Sequence, residues 1–139
     1  MKNNDTIIFP DNFYYKTEWV TTKPKFTLCV FFSATCISCL EKSLELKRLQ
    51  TFFRLNQVKC IIIIEEQTED ADFFIQQVKL HLPILVIKKE DPFWSRCNIP
   101  LVPYYCVINK EKRIVSHGSL VTKKISDLLQ NQFKIKIPN

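Results

Sequence analysis

Residues 31–41 read Phe-Phe-Ser-Ala-Thr-Cys-Ile-Ser-Cys-Leu-Glu, so two cysteines two residues apart, Cys36 and Cys39, follow an apolar run. The run itself, Phe26 to Phe32 (FTLCVFF), is short and rich in aromatic and β-branched residues, as in a strand buried on both faces. Beyond Cys36 the apolar residues change period. Leu40 and Leu44, then Leu46, Leu49 and Phe53, recur at threes and fours among Glu41, Lys42, Glu45, Lys47 and Arg48, which predicts an amphipathic helix to about Leu55 with those apolar residues inward. The cysteine pair therefore falls where a buried strand hands over to a helix. Helix-start amides and the positive end of the helix dipole stabilise an ionised sulfur at Cys36, whereas Cys39, one turn in, is more buried and holds its proton more tightly.

Further along, Val58 to Ile64 (VKCIIII) reads as a second buried strand and Ile84 to Ile87 as a third. Between them, Thr68 is placed to cap a helix carrying Glu69 and Asp70 in its first turn, with Ala71, Phe74, Ile75, Val78 and Leu82 on one face. Asp91 to Asn98 predicts a short helix with Pro92 at its first position. Ile99-Pro100-Leu101-Val102-Pro103 then leads into a strand at Tyr104–Ile108, a turn over Asn109–Lys112, and a partner strand over Arg113–Ser116 that Gly118 ends. A helix over Thr122–Phe133, with Ile125, Leu128 and Leu129 inward, follows. The order β-α-β-α-β-(short α)-β-β-α implies parallel strands joined by right-handed crossovers plus one antiparallel pair, hence an α/β fold with a mixed central sheet flanked by helices. A single domain spans 1–139, with an irregular lead-in over 1–25.

Composition narrows the chemistry. A single glycine, against an average of roughly 7%, cannot write a glycine-rich phosphate loop or a dinucleotide fingerprint. The net charge of +6 is spread over short mixed runs and reads as a solvated basic surface, with no aromatic–basic platform for nucleic acid. No stretch approaches the ~20 apolar residues of a membrane span, and the first residues lack the apolar core of a signal peptide. A cytoplasmic address is expected, and there the six cysteines are mostly free thiols.

Cys-x-x-Cys alone has three readings: half of a metal site, core packing, or a pair that makes and breaks a disulfide. In a cytosolic chain with βαβ order the third is favoured. With the strand, Cys36-x-x-Cys39, the helix, and Val102-Pro103 entering a hairpin, residues 24–133 resemble the thioredoxin superfamily. The extra segment 66–98, inserted before the Val-Pro element, is similar to the TlpA-like and redoxin-like thiol–disulfide oxidoreductases. The resemblance implies a thioredoxin-like fold and a protein or peptide thiol/disulfide substrate, served by a redox partner, with no cofactor and no metal. It makes Cys36 the nucleophile and Cys39 the resolving thiol. It makes the bond before Pro103 cis, with the proline facing the sulfurs and the Val102 backbone offered to an extended substrate. A monomer is expected.

The chain departs from the family pattern around the pair. Thr35 stands where most members have tryptophan, Val30 where many have an acid, Leu44 where many have proline, and Lys42 where TlpA-like members often have glutamate. Thr35 and Glu41 are the candidate supporting residues. In size, address and motif the chain resembles small members that accompany the biosynthesis of cysteine-containing bacteriocins such as the sporulation killing factor. Two other classes stay open: a thioredoxin-fold binding or chaperone module, and a metal-binding protein with Cys36 and Cys39 joined by Cys97 or a histidine. Cys29, Cys60 and Cys106, in apolar strand runs, read as small core hydrophobes. Phe93 and Trp94 read as packing or as the lining of a substrate groove.

Overall fold

The computed structural model describes residues 1–10, 26–56, 58–66, 73, 74, 76 and 82–133. The expected helix from Thr68 therefore lies largely outside the described residues, as do Trp19 and His81. The elements are β1 (Phe26–Phe32), α1 (Ile37–Leu55), β2 (Lys59–Glu66), β3 (Ile84–Lys88), α2 (Pro92–Cys97), β4 (Tyr104–Asn109), β5 (Ile114–Ser119) and α3 (Ile125–Phe133).

They build one five-stranded mixed sheet in the order β3-β2-β1-β4-β5. β1 runs parallel to β2 and antiparallel to β4, while β2–β3 is parallel and β4–β5 antiparallel. The central position of β1 explains its continuous apolar run. It is covered on both faces, and alternate side chains enter different cores. Leu28, Val30 and Phe32 join the larger core with α1 and α3, including Leu46, Leu49, Phe53, Ile125, Leu128 and Leu129. Cys29 and Phe31 join a second core with Ile7, Phe93, Cys97, Tyr104 and Cys106.

Local chemistry fixes the ends of the elements. Asp91 caps α2 by accepting the Phe93 N–H at 2.8 Å, Pro92 occupies the first turn, and Asn98 closes the helix in the left-handed region at φ 50°. That short helix drops Phe93 into the second core at 1% exposure, where its ring lies 6.4 Å from Phe31. Phe93 is thus core packing rather than groove lining. In the β4–β5 turn, Asn109 Oδ1 accepts the N–H groups of Glu111 and Arg113, both at 3.0 Å. The lead-in covers part of the β5 edge: Thr6 bridges Arg113, and the Ile114 N–H donates to the Asp5 carbonyl at 2.9 Å.

Three expectations need correction. Leu40 and Leu44 are not inward; they are 45% and 58% exposed, and the buried face of α1 is Cys39, Ser43, Leu46, Leu49 and Phe53. The rotation follows from seating Cys39 against the end of β1, which carries its neighbour Leu40 about 100° round the helix, away from the core. Gly118 does not end the hairpin but pairs with Tyr105 inside β5, which continues to Ser119. A Cβ at Gly118 would stand 3.1 Å from Tyr105 Cε1, so the glycine makes room for the ring. Finally, α3 starts at Ile125 rather than Thr122, because a side chain from α1 fixes its first turn. Glu45 Oε1 accepts the N–H groups of Ile125 at 2.7 Å and Ser126 at 3.2 Å. Lys42 Nζ reaches Glu45 Oε2 at 3.5 Å and the Lys123 carbonyl at 2.6 Å, completing the bridge between the helices.

Candidate active site

Cys36 is the N-cap of α1, with extended backbone angles (φ −95°, ψ 117°), and its sulfur accepts the Cys39 N–H at 3.1 Å. A sulfur thus takes the role that a serine or aspartate oxygen usually plays at a helix start. The chain reaches this point through a tight bend after β1, in which the Cys36 N–H donates to the Ser33 carbonyl at 3.3 Å. Ser33 also acts on the second cysteine, because its N–H donates to Cys39 Sγ at 3.4 Å. That amide is a site contact which no side-chain pattern announces.

The two sulfurs are unequal. Cys36 is half-buried, whereas Cys39 is fully enclosed at 0% exposure, and both are thiols. Burial pushes the Cys39 thiol up to about 12; its hydrogen bond to the Cys36 sulfur adds to this, and the Ser33 amide works the other way. Around Cys36 the surface is apolar: Ile37 is 78% exposed and Leu40 45%.

The other expected residues fall as follows. The Val102–Pro103 peptide bond is cis. Pro103 is buried, and its carbonyl accepts the Leu120 N–H at 2.9 Å. Tyr104 is paired with Phe31, so one further step along the antiparallel register brings Pro103 level with Phe32, at the end of the sheet where Cys36 follows. Val102, Ala34 and Cys36 pack on the rim of the same core. Thr35 is exposed and bound to its own bend, its Oγ1 3.2 Å from Ser33 Oγ. Glu41 is exposed on α1 and lines a groove of about 530 Å³ between α1 and α3, together with Ser38, Arg48, Phe52 and Lys124. The hydrogen bonds at Cys39 Sγ come from Ser33 and Cys36, not from Glu41. Among the described residues, no group of at least three His, Cys, Asp or Glu side chains is placed to hold a metal ion. None of their helices is long and apolar enough to cross a membrane.

The fold has many solved counterparts. The thioredoxin domain of a thiol–disulfide oxidoreductase from Bacteroides vulgatus superposes with a TM-score of 0.74 at 16% identity, over 94% of this chain and 97% of that one. A thiol:disulfide interchange protein from Bacteroides sp. gives 0.67 at 17% identity, over 81% and 75% of the two chains. StoA from Bacillus subtilis gives 0.58 at 19%, over 70% and 75%. No protein-family model and no curated protein matches the sequence itself. The chain has the thioredoxin-like fold.

The inequality of the sulfurs gives a direct expectation. A short iodoacetamide pulse on the reduced native protein at neutral pH labels Cys36 well ahead of Cys39, as read by peptide mass spectrometry. Because alkylation consumes thiolate, labelling of Cys39 rises with pH, by about tenfold per unit while the pH stays below its pKa. Cys39 labelled as fast as Cys36 at pH 7 would reverse the assignment of inner and outer sulfur.

Proposed function

We propose that the protein is a thiol–disulfide oxidoreductase working through Cys36 and Cys39. The observation that carries the reading is the pair of sulfurs in hydrogen-bond contact at the first turn of α1, one reachable and one enclosed. The Cys36 thiolate attacks a substrate disulfide, forms a mixed disulfide and releases one substrate sulfur as thiolate. Cys39 gives up its proton and attacks Cys36 Sγ, releasing the second substrate sulfur and closing the Cys36–Cys39 bond. Two electrons pass from the chain to the substrate, and a redox partner returns them.

The apolar surface at Ile37 and Leu40 suits a protein or peptide substrate, and Val102, next to Pro103 at the same end of the sheet, supplies the backbone along which it extends. Cysteine-containing peptides of the bacteriocin type are the substrate class that the resemblance favours. In this reading the protein acts in the cytoplasm as a monomer. The test is a titration of the Cys36–Cys39 couple in glutathione buffers of graded potential, with the trapped state read by alkylation mass. A single reversible two-electron transition at Cys36 and Cys39 is expected. A pair that does not close at any poise would reduce the protein to a binding module on the same fold.

A further inference from the structure

The second core holds thiols that the Cys36–Cys39 reaction does not use. Cys29 on β1 and Cys106 on β4 stand directly opposite each other in the antiparallel pair, and both are 0% exposed. The Cys106 thiol is hydrogen-bonded to the Cys29 sulfur, and the charge of an ionised Cys97 would be felt at Cys106. Residues opposite each other in an antiparallel ladder have Cα atoms about 4.5 or 5.5 Å apart, according to pair type. Disulfides span about 4.4–6.8 Å between Cα atoms, so either pair type falls within their range. The backbone spacing of these two strands is compatible with a cross-link between them.

Cys97, from α2, packs in the same core and is its outer thiol, at 7% exposure. It lines a cavity of about 20 Å³ with Arg96, Asp5, Ile7 and Ile114. A space of that size holds about one water-sized molecule. Among two-electron thiol oxidants only one as small as hydrogen peroxide comes near that size, and bulky disulfides such as oxidised glutathione are shut out.

We propose that Cys29, Cys97 and Cys106 form a second thiol centre, in which hydrogen peroxide entering at Cys97 leaves a Cys29–Cys106 disulfide. First, the Cys97 sulfur attacks the O–O bond, giving a sulfenic acid and one water. Next, the Cys106 thiol condenses with the sulfenic acid, forming a Cys97–Cys106 disulfide and releasing a second water. Last, Cys29 attacks the Cys106 sulfur and passes its proton to the departing Cys97 thiolate. The sum is two thiols and one peroxide converted to one disulfide and two waters. Burial raises the Cys97 thiol to about 11, so the centre answers sustained oxidant rather than brief exposure. The closed bond ties the strand that leads to Cys36 to the strand that begins just after Pro103, clamping the two sides of the site together.

This centre does not rest on the proposed role of Cys36 and Cys39, and the test silences that pair. The Cys36→Ser/Cys39→Ser protein, which retains four of the six cysteines, is treated with hydrogen peroxide, denatured, alkylated and mapped without reduction. Two of the four thiols should disappear into one cross-link joining the Cys29 and Cys106 peptides, reversible by dithiothreitol. Adding Cys97→Ala should slow its formation by about tenfold or more, because the remaining thiols have no exposed entry. The same map on the unsubstituted protein should show this cross-link beside Cys36–Cys39, which covers any failure of the double variant to fold. Cys97 driven to sulfinic acid while Cys29 and Cys106 remain thiols overturns the proposal. So does a cross-link that forms as fast without Cys97.

Discussion

Replacing Cys36 with serine should lower the rate of disulfide exchange by about a thousandfold or more, since a hydroxyl offers no thiolate and the remaining sulfur is enclosed. Cys39→Ser should behave differently: substrate is attacked at close to the normal rate but stays bound through Cys36, because the intramolecular exit is gone. The contrast follows from the site geometry. Cys36 caps the helix where solvent reaches it, and Cys39 lies one turn deeper, at 0% exposure. Stopped-flow exchange with a model disulfide, together with non-reducing gels, reads both variants. A mixed disulfide accumulating in Cys36→Ser as readily as in Cys39→Ser would mean the nucleophile is misassigned.

Phe53→Ala should cost about 3–5 kcal/mol, the usual range for deleting a buried aromatic ring. Phe53 is fully enclosed in the larger core, near the end of α1, so nothing but neighbouring side chains can move into the space. Domains of this kind have about 5–15 kcal/mol of total stability, so this single change removes a large share. Leu44→Ala on the same helix should stay within about 0.5 kcal/mol, because Leu44 is 58% exposed. Urea unfolding of the two variants compares them directly. Equal losses would contradict the facing of α1.

That comparison also marks where the amino-acid pattern stops being informative. β1 was legible because a central strand must be apolar on both faces, and FTLCVFF is. The start of α1 was legible because strand-type and helix-type periodicities meet at Cys36. The facing of α1 was not: Leu40 and Leu44 offer a plausible apolar stripe, while the true one runs through Cys39 and Ser43, which an apolar count ranks below leucine. Ser43 is tolerated there because its hydroxyl donates to the Leu40 carbonyl at 2.6 Å. Gly118 looked like a terminator because glycine usually is one, and its actual role depends on Tyr105 across the ladder. The Ser33 amide on Cys39 and the Glu45 cap on α3 pair a backbone N–H with a side chain, six residues away in one case and 80 in the other, and no apolar or polar pattern encodes either.

The Glu45 contact with the start of α3 also says something about the order of assembly. A helix of nine residues is marginal in isolation, and this one has its first amides satisfied by a carboxylate 80 residues earlier in the chain. Its nucleation is therefore a tertiary event within the chain, requiring α1 to be formed and docked before α3 gains its starting point. The C-terminal helix is a late-forming element whose order reports on the integrity of the half that carries the cysteines. A fluorescent or exchange probe placed on α3 would register loss of α1 structure from a position well away from the cysteines.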